Sequence, residues 1–317
     1  MRVFQNANYR YIENRKRAYV LSGTVIIVGI VGMIANLFAV GSWQNYGVDF
    51  TGGSLVQVRF LDDVAAGPVR SAVPSASEVT RFDQQNEFVI RAPLEEGMPV
   101  DSLSAQMEAQ LGQAFGAGRF EIVRTELVGP KIGAELQQKA TLAVLVSFAL
   151  TLIYLAFRFE WRFGVAAIIA TVHDLLITVG VLALMRIEIS VTTVAAVLTI
   201  VGYSLNDTII VFDRIREALG KKGARKADYV GLINRAINET LPRTTLTLAS
   251  SFVVLLAILV LGPVVIRSFA FVLLVGITVG TFSSIFVASP ALVEIQKRWG
   301  RGDESKPKKT RPAPATV

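Results

Sequence analysis

Long apolar runs separated by polar segments dominate this sequence of 317 residues. A helix needs about 20 consecutive apolar residues to cross the hydrocarbon of a bilayer, and six runs approach or exceed that length. They predict transmembrane helices over residues 19–40, 140–157, 163–185, 189–212, 244–261 and 269–293. The first run follows three basic residues, but it is longer than the core of a signal peptide, so we interpret it as an uncleaved helix.

A different pattern fills residues 41–139. Alternating apolar positions predict strands at 54–60, 78–82, 87–91 and 119–127, and helical spacing predicts short helices near 68–73 and 101–111. The order β-α-β-β-α-β is that of a ferredoxin-like fold. We therefore expect a polytopic α-helical membrane protein with six transmembrane helices and one α+β ferredoxin-like domain between helices 1 and 2.

The positions of Lys and Arg predict the orientation in the membrane. Twenty-two of them lie in the segments 1–18, 158–162, 213–243 and 294–317, whereas the two short loops on the opposite side hold one each. By the positive-inside rule, both termini and the 213–243 loop are cytoplasmic. Residues 41–139, with thirteen acids against eight basic residues, are then an extracytoplasmic domain with a return linker. The tail, 294–317, has the composition of a disordered segment.

The composition narrows the possible functions. Hydrophobic residues make up 52% of the chain, only 18% are charged, and the mean hydropathy is +0.50. The absence of cysteine excludes disulfides, thiol catalysis and Cys-based metal sites. The basic loops and tail account for the pI of 9.7 and favour contact with the lipid bilayer, and no nucleic-acid-binding module is recognisable. We predict no metal site, no cofactor and no catalytic residue.

One carboxylate interrupts the fourth predicted helix. Asp207 lies within the apolar run, where a charged side chain costs roughly 2.5–3.5 kcal/mol. It borders a helical stripe that should face other helices or a cavity, formed by Thr192, Thr199, Tyr203, Asn206 and Asp213. Burial disfavours the charged form of a carboxyl group, so Asp207 can take up and release a proton as water reaches it. A hydrogen-bonded Asn-Asp lock between helices is an equally good interpretation.

Three other polar residues are candidates for the same site. Arg243 is the natural counter-charge for Asp207, because Pro242 suits the first turn of the fifth helix and places the guanidinium near the cytoplasmic end of the fourth. A plain topology anchor is the alternative. His173 and Asp174 lie near the middle of the third helix, where they predict either a proton relay or a packed polar pair between helices.

A glycine-rich motif follows the first helix at residues 47–53, with the sequence GVDFTGG. Its glycines allow a tight backbone turn, and its single aspartate adds one charge. It lacks the length and the lysine of a phosphate-binding loop. The candidate turn residues are Gly47, Asp49, Phe50, Thr51, Gly52 and Gly53.

Together these motifs resemble the SecF family, the accessory membrane subunits of the bacterial Sec protein-export system. The matching stretches are GVDFTGG at 47–53, VHD at 172–174, GYSLNDT at 202–208, VFDRIRE at 211–217 and NETLPRT at 238–244. They stand in the expected order between the expected helices and cover roughly residues 10–295. Pro242 replaces a residue that is often polar in this family.

The resemblance implies membership of the resistance–nodulation–division superfamily and a place in the bacterial cytoplasmic membrane. It implies a subunit without ATPase activity that pairs with SecD and works beside the SecYEG channel, often with YajC, on a translocating unfolded polypeptide. Protons would be the coupling ion. In the family, the aspartate and arginine that match Asp207 and Arg243 are assigned to proton passage. Asp213 also matches the family motif, but we infer no proton role for it.

Two other functions remain open from the residues. In a non-transporting scaffold, Asp207, Asn206 and Arg243 would only hold the subunit interface together. In a drug or lipid exporter of the same superfamily, the six helices would form half of a transporter. A domain of about ninety residues is small for the binding cavity of such an exporter, which argues against that alternative.

Overall fold

The computed structural model describes residues 7–74, 76, 78–82, 86–92, 100–220, 228–262 and 264–299. Six helices in these ranges are long and apolar enough to cross a membrane, which confirms the predicted number. The helices are α1 (Arg15–Val40), α2 (Val48–Thr51), α3 (Ala66–Ala72), α4 (Val100–Phe115), α5 (Pro130–Arg158), α6 (Trp161–Leu184), α7 (Val191–Gly220), α8 (Tyr229–Leu261), α9 (Val264–Ser283) and α10 (Ser289–Trp299). A π-helical turn, Ser284–Ala288, joins α9 to α10 in one continuous helix. The protein is thus a polytopic helical membrane protein.

The α+β unit follows α1. Its strands are β2 (Gly53–Phe60), β3 (Glu78–Phe82), β4 (Glu87–Ala92) and β5 (Phe120–Val128), and with α3 and α4 they occur in the predicted order β-α-β-β-α-β. The strands form one antiparallel sheet in the order β3-β4-β2-β5. Apolar residues of the sheet, such as Val56 and Phe88, are fully buried with Leu103 and Met107 of α4 in a core of their own. This unit therefore has its own hydrophobic core.

Two further strands of two residues each were not predicted. They are β1 (Asn45–Tyr46) and β6 (Glu188–Ile189), which pair in parallel and connect the segment after α1 to the segment before α7. Their pairing joins residues 143 positions apart in the chain, so no local pattern in either segment indicates it.

Several helices extend beyond the predicted apolar runs. The polar stretch 131–139, expected as a linker, belongs to α5, and α7 and α8 take up most of the 213–243 segment, expected as a loop. Residues 294–299 of the expected disordered tail are helical in α10, while 300–317 lie outside the described residues. The apolar runs mark only the part of each helix that matches the hydrocarbon, and polar residues continue the same backbone hydrogen bonding beyond it.

Pro242 lies inside α8 and not in its first turn, so that prediction was wrong. A proline inside a helix removes one backbone hydrogen bond and costs about 3 kcal/mol in water. The carbonyl that loses its amide donor is that of Asn238, and the hydroxyl of Thr240 donates to the adjacent carbonyl of Ile237 at 2.8 Å.

The first part of α8 is held by the N-terminal segment, residues 7–14. Asn238 accepts from the Tyr9 amide and donates to the Tyr9 carbonyl, both at 2.9 Å. One turn earlier, Asn234 accepts from the amide of Ile12 at 3.1 Å and donates to Glu13 at 2.8 Å. These two asparagines tie the polar extension of α8 to the beginning of α1.

The membrane helices differ strongly in burial. In α6 and in the last helix, 56% and 61% of the most apolar window are buried, against 6% in α1, α5 and α8. The bundle is therefore centred on α6, α7 and α9, and the outer helices present wide apolar faces to their surroundings. The candidate polar residues lie on the central helices and on α8.

Candidate functional site

Asp207 lies inside the bundle, on the buried side of α7. Its side chain is 6% exposed, and Ser284 Oγ donates a hydrogen bond to Oδ2 at 2.9 Å. Thr244, on α8, is buried next to the carboxylate. Its hydroxyl makes no hydrogen bond to the described residues. Asp207 is thus placed where α7, α8 and the last helix meet.

Arg243 attracts the carboxylate of Asp207 electrostatically, without a direct contact. Its side chain is exposed, and within the described ranges no carboxylate lies within 4 Å of its guanidinium. The expected direct pairing is therefore not formed within this chain. Arg243 lies inside α8, fourteen residues after its first residue, and its exposed side chain is on the surface of the bundle.

Asp174 is the second buried carboxylate of the bundle and is 1% exposed. Its Oδ1 lies 2.9 Å from Nδ1 of His173, and its Oδ2 accepts hydrogen bonds from Ser204 Oγ at 2.5 Å and Ser283 Oγ at 2.8 Å. These partners come from α6, α7 and α9. The predicted polar connection between the third and fourth helices exists, and it includes the sixth as well.

Ser283 and Ser284 bring the two buried carboxylates into one cluster. They are adjacent in the chain, and the first donates to Asp174 while the second donates to Asp207. The π-helical turn begins at Ser284, and the Ser289 hydroxyl donates to the Ser284 carbonyl at 2.9 Å. Single π-turns inside α-helices are frequently found at functional sites. We call Ser283, Ser284 and Ser289 the serine turn.

The sequence analysis did not single out the serine turn. A serine in an apolar helix is common, because its hydroxyl can donate to a backbone carbonyl one turn earlier. Three serines within seven residues of a spanning segment were the available signal. Their spacing gives no sign that they reach carboxylates on two other helices.

A glycine allows the close approach that this cluster needs. A Cβ atom added to Gly280 would lie 2.9 Å from Cβ of Ser204, nearer than side chains tolerate. The absence of a side chain at Gly280 lets α9 approach α7 closely, so that Ser204 reaches Asp174. Small residues have this role widely in membrane helix packing.

The stripe predicted on the fourth helix divides into two parts. Asp213 pairs with Arg158 of α5 at 2.6 Å, and Tyr203 donates to Ser251 of α8 at 3.4 Å, so both contribute to helix contacts. The other three positions of the stripe, Thr192, Thr199 and Asn206, are exposed, and with the exposed Gly202 they define a polar face. This face lies beside the buried Asp207 and is not covered by the described residues.

The glycine-rich motif forms a joint between the α+β unit and the membrane helices. Gly47 donates its amide to the Ile189 carbonyl at 2.9 Å, and Asp49 Oδ2 accepts from the amide of Val191 at 2.9 Å. Asp49 therefore satisfies a free amide in the first turn of α7, where a negative charge is favoured. Gly52 and Gly53 take φ values of 74° and 138°, which other residues avoid. Phe50 is buried and Thr51 donates to the Gly47 carbonyl, which closes the turn.

A second contact strengthens this joint. Arg91 of β4 forms an ion pair with Glu188 of β6, and both side chains are less than one-fifth exposed. Burial raises the pKa of the neighbouring Tyr46 phenol, so this group stays neutral. The joint thus links the sheet to the helix that carries Asp207 by polar contacts at one end of that helix.

Comparison with protein families decides the identity of the fold. The family described as protein export membrane protein SecD/SecF, C-terminal, matches residues 107–298, and the SecD/SecF GG motif matches residues 45–60. The chain belongs to the SecD/SecF family. The glycine-rich joint is thus the GG motif of that family, and the cluster around Asp207 lies inside its C-terminal membrane region.

Individual relatives agree with the family assignment. The protein translocase subunit SecF of Gemmatimonas aurantiaca is 44% identical over 96% of this chain and 92% of that protein. The subunit SecF of Desulfurispirillum indicum is 40% identical over 90% and 91% of the two chains. The chain also matches the protein translocase subunit SecDF of Thermus thermophilus at 39% identity, over 91% of this chain and 39% of that longer protein.

The solved structures show the same relationship. The crystal structure of SecDF from Thermus thermophilus superimposes with a TM-score of 0.79 at 37% identity, covering 94% of this chain and 40% of SecDF. Against SecDF in its super-membrane-facing form, the TM-score is 0.66 at 36% identity, over 92% and 39% of the chains. This chain therefore corresponds to about two-fifths of the fused SecDF protein.

Proposed function

We propose that this chain is the SecF-type subunit of the Sec protein-export machinery and that, with SecD, it couples proton flow across the membrane to late steps of polypeptide translocation through SecYEG. YajC is a further expected partner, and the chain has no ATPase activity of its own. The observation that carries the proposal is the buried Asp207, which accepts a hydrogen bond from Ser284 and is attracted by the charge of Arg243 without a direct contact. The existence of a fused relative named SecDF supports SecD as the partner.

The coupling ion is the proton, which Asp207 binds and releases. A hydroxyl carries a single proton, and Ser284 Oγ lies 2.9 Å from both Asp207 Oδ2 and the Thr281 carbonyl. When Asp207 is ionised, Ser284 donates to it. When Asp207 is protonated, its own O–H donates to Ser284 Oγ, and the Ser284 hydroxyl turns to Thr281. The contact between α7 and the last helix is therefore kept in both states.

The attraction between Asp207 and Arg243 changes with protonation. A neutral Asp207 loses its Coulomb interaction with the guanidinium, so the packing of α7 against α8 becomes weaker in the protonated state. A membrane potential supplies about 2.3 kcal/mol per charge per 100 mV, which is enough to bias such a two-state contact. Proton uptake and release would thus repack two helices of the bundle.

The polar face is the site for SecD. Thr199, Gly202 and Asn206 are exposed on α7, and Arg243 is exposed on the neighbouring helix α8. Such residues are poorly suited to lipid, and a helical partner in the membrane would give them polar contacts. A carboxylate of the partner would then supply the direct counter-charge that Arg243 lacks in the described part of this chain.

The proposed orientation places both termini in the cytoplasm of a bacterium and the α+β unit, as a ferredoxin-like domain, on the outer side of its cytoplasmic membrane. Twenty-two Lys and Arg residues on one side against two in the short loops of the other support it. The domain would then meet the polypeptide as it emerges from the channel. The joint at Asp49 and Glu188 would carry the repacking of α7 to this domain.

The proposal is tested with Asp207→Asn, which keeps the size of the side chain and removes its ability to ionise. We expect membrane vesicles that contain this variant with SecD to lose most of the proton-gradient-dependent part of export, by at least tenfold. Asp213→Asn is the matched control, because Asp213 lies on the same helix and its partner is Arg158 of α5, not the serine turn. Its export should keep the gradient dependence.

Co-purification separates the proposal from a scaffold function. If the subunit couples proton flow to export, Asp207→Asn should still assemble with SecD but lose the proton-gradient-dependent part of export. An unchanged gradient dependence contradicts proton coupling at Asp207. A variant that no longer co-purifies with SecD would instead favour the scaffold.

A further inference from the structure

A groove of about 650 Å³ runs between α1, α6 and α10. Its walls are apolar, with side chains such as Ile26, Ile169 and Leu176. One end is bordered by Glu294 and Arg298, near the end of the last helix. In the proposed orientation this end opens to the cytoplasm.

Two buried polar atoms line this groove without a partner among the described residues. They are Ser22 Oγ and His173 Nε2, on side chains that are 6% and 7% exposed. A buried polar atom left without a hydrogen bond costs about 1–3 kcal/mol. Acyl chains cannot offer such a bond, whereas water can, and the groove is much larger than one water molecule.

His173 connects the groove to the buried carboxylates. Its Nδ1 lies 2.9 Å from Asp174 Oδ1, and Asp174 Oδ2 accepts from Ser283, the neighbour of the residue that binds Asp207. The other titratable groups that line the groove are Tyr19, Glu294 and Arg298. Glu294 pairs with Arg15 at 2.9 Å near one end of the groove. His173 lines the other end, next to Asp174.

We propose that this groove is filled with water and gives protons access from the cytoplasmic side to Nε2 of His173. A proton bound at Nε2 would be exchanged with Asp174 through the Nδ1 hydrogen bond, and the imidazole would return to its neutral form. The role of the groove in proton release rests on the proposed function. Its water content does not, so the two can be tested separately.

The absence of cysteine from the chain allows a direct test. Ser22→Cys is nearly isosteric and places a thiol in the groove. A charged methanethiosulfonate reagent that does not cross membranes reacts with the thiolate, which forms only where water is present. We expect labelling in inverted vesicles that contain the chain with SecD, and little labelling in right-side-out vesicles.

Leu21→Cys is the matched control, because it lies at the same depth of α1 with a side chain that is 58% exposed toward the outside of the bundle. We expect Ser22→Cys to react at least ten times faster than Leu21→Cys. Equal rates would mean that water reaches α1 on all sides at this depth and not only in the groove. No reaction at Ser22→Cys would mean that the groove is closed or filled by lipid. Either result overturns the proposal, whatever Asp207→Asn does to export.

A second measurement tests the connection to His173. Ala291→Trp places a bulky apolar side chain in the groove from α10, one turn before Glu294 at the charged end. We expect it to slow the labelling of Ser22→Cys by at least fivefold and to reduce gradient-driven export by a similar factor. Slowed labelling with unchanged export would show that the groove holds water but is not the proton route.

Discussion

At the scale of single residues, hydroxyl groups decide what the buried carboxylates can do. Ser283 and Ser284 each have two acceptors within 3.0 Å, a carboxylate on another helix and a carbonyl one turn earlier in their own. A hydroxyl can change acceptor by rotation alone, without moving the helix. Each serine can therefore satisfy its carboxyl group in both the ionised and the protonated state.

Ser284→Ala tests this arrangement. Removal of the hydroxyl leaves the ionised Asp207 without its donor, at a cost of about 1–3 kcal/mol. We expect at least a tenfold loss of gradient-driven export with normal assembly. Thr278→Val, on the exposed side of α9, removes a hydroxyl that donates only to the Leu274 carbonyl and should leave export unchanged. Equal export by the two variants would exclude a role for Ser284.

The sequence located Asp207, Arg243, His173 and Asp174 but not how they are paired. Hydropathy identifies a polar residue in an apolar run from its neighbours in the chain. The partner of that residue depends on the rotation of each helix about its axis and on its depth, which no run of neighbours specifies. Arg243 shows this most clearly, because the rotation of α8 about its axis leaves this side chain exposed while Thr244, the next residue, is buried.

At the scale of elements, α7 connects the two halves of the protein. Asp207 lies near the middle of this helix, and its first turn is bound by Asp49 of the GG motif. Glu188, three residues before the first residue of the helix, pairs with Arg91 on the sheet. A displacement of α7 would therefore move the α+β unit through these contacts.

Charge exchange tests this connection. We expect Arg91→Glu or Glu188→Arg alone to lower gradient-driven export severalfold, because each places two like charges in the partly buried joint. The double variant should recover at least half of the export. The exposed pair of Arg81 and Asp63, 2.6 Å apart on the same unit, is the control, and its reversal should have little effect. No recovery in the double variant would contradict a joint that works through this ion pair.

At the scale of the whole molecule, the bundle is incomplete by itself. Helices α1, α5 and α8 are largely exposed, and the polar face of α7 is uncovered among the described residues. The relative SecDF from Thermus thermophilus is more than twice as long as the matched region. A second set of helices packed on the polar face would complete the environment of Asp207 and Arg243.

Gly202→Trp tests the position of this interface. A Cβ atom added at Gly202 meets no atom of the described structure within 4 Å, and the position is exposed, so a larger side chain can extend away from the chain. In the proposed interface it would prevent close packing, and we expect co-purification with SecD to fall at least fivefold. Val253→Trp, on the exposed apolar side of α8, should co-purify normally. Equal recovery of both variants would place the partner elsewhere.

The sequence by itself determined the number of spanning helices, the order of elements in the α+β unit and the positions of its unusual polar residues, because hydropathy and periodicity are properties of neighbours along the chain. Only the tertiary structure decided that two carboxylates share a serine turn, that the GG motif binds the first turn of α7, and that Arg243 points outward. These features arise from contacts between residues up to 142 positions apart, and their geometry depends on how the helices are rotated and packed.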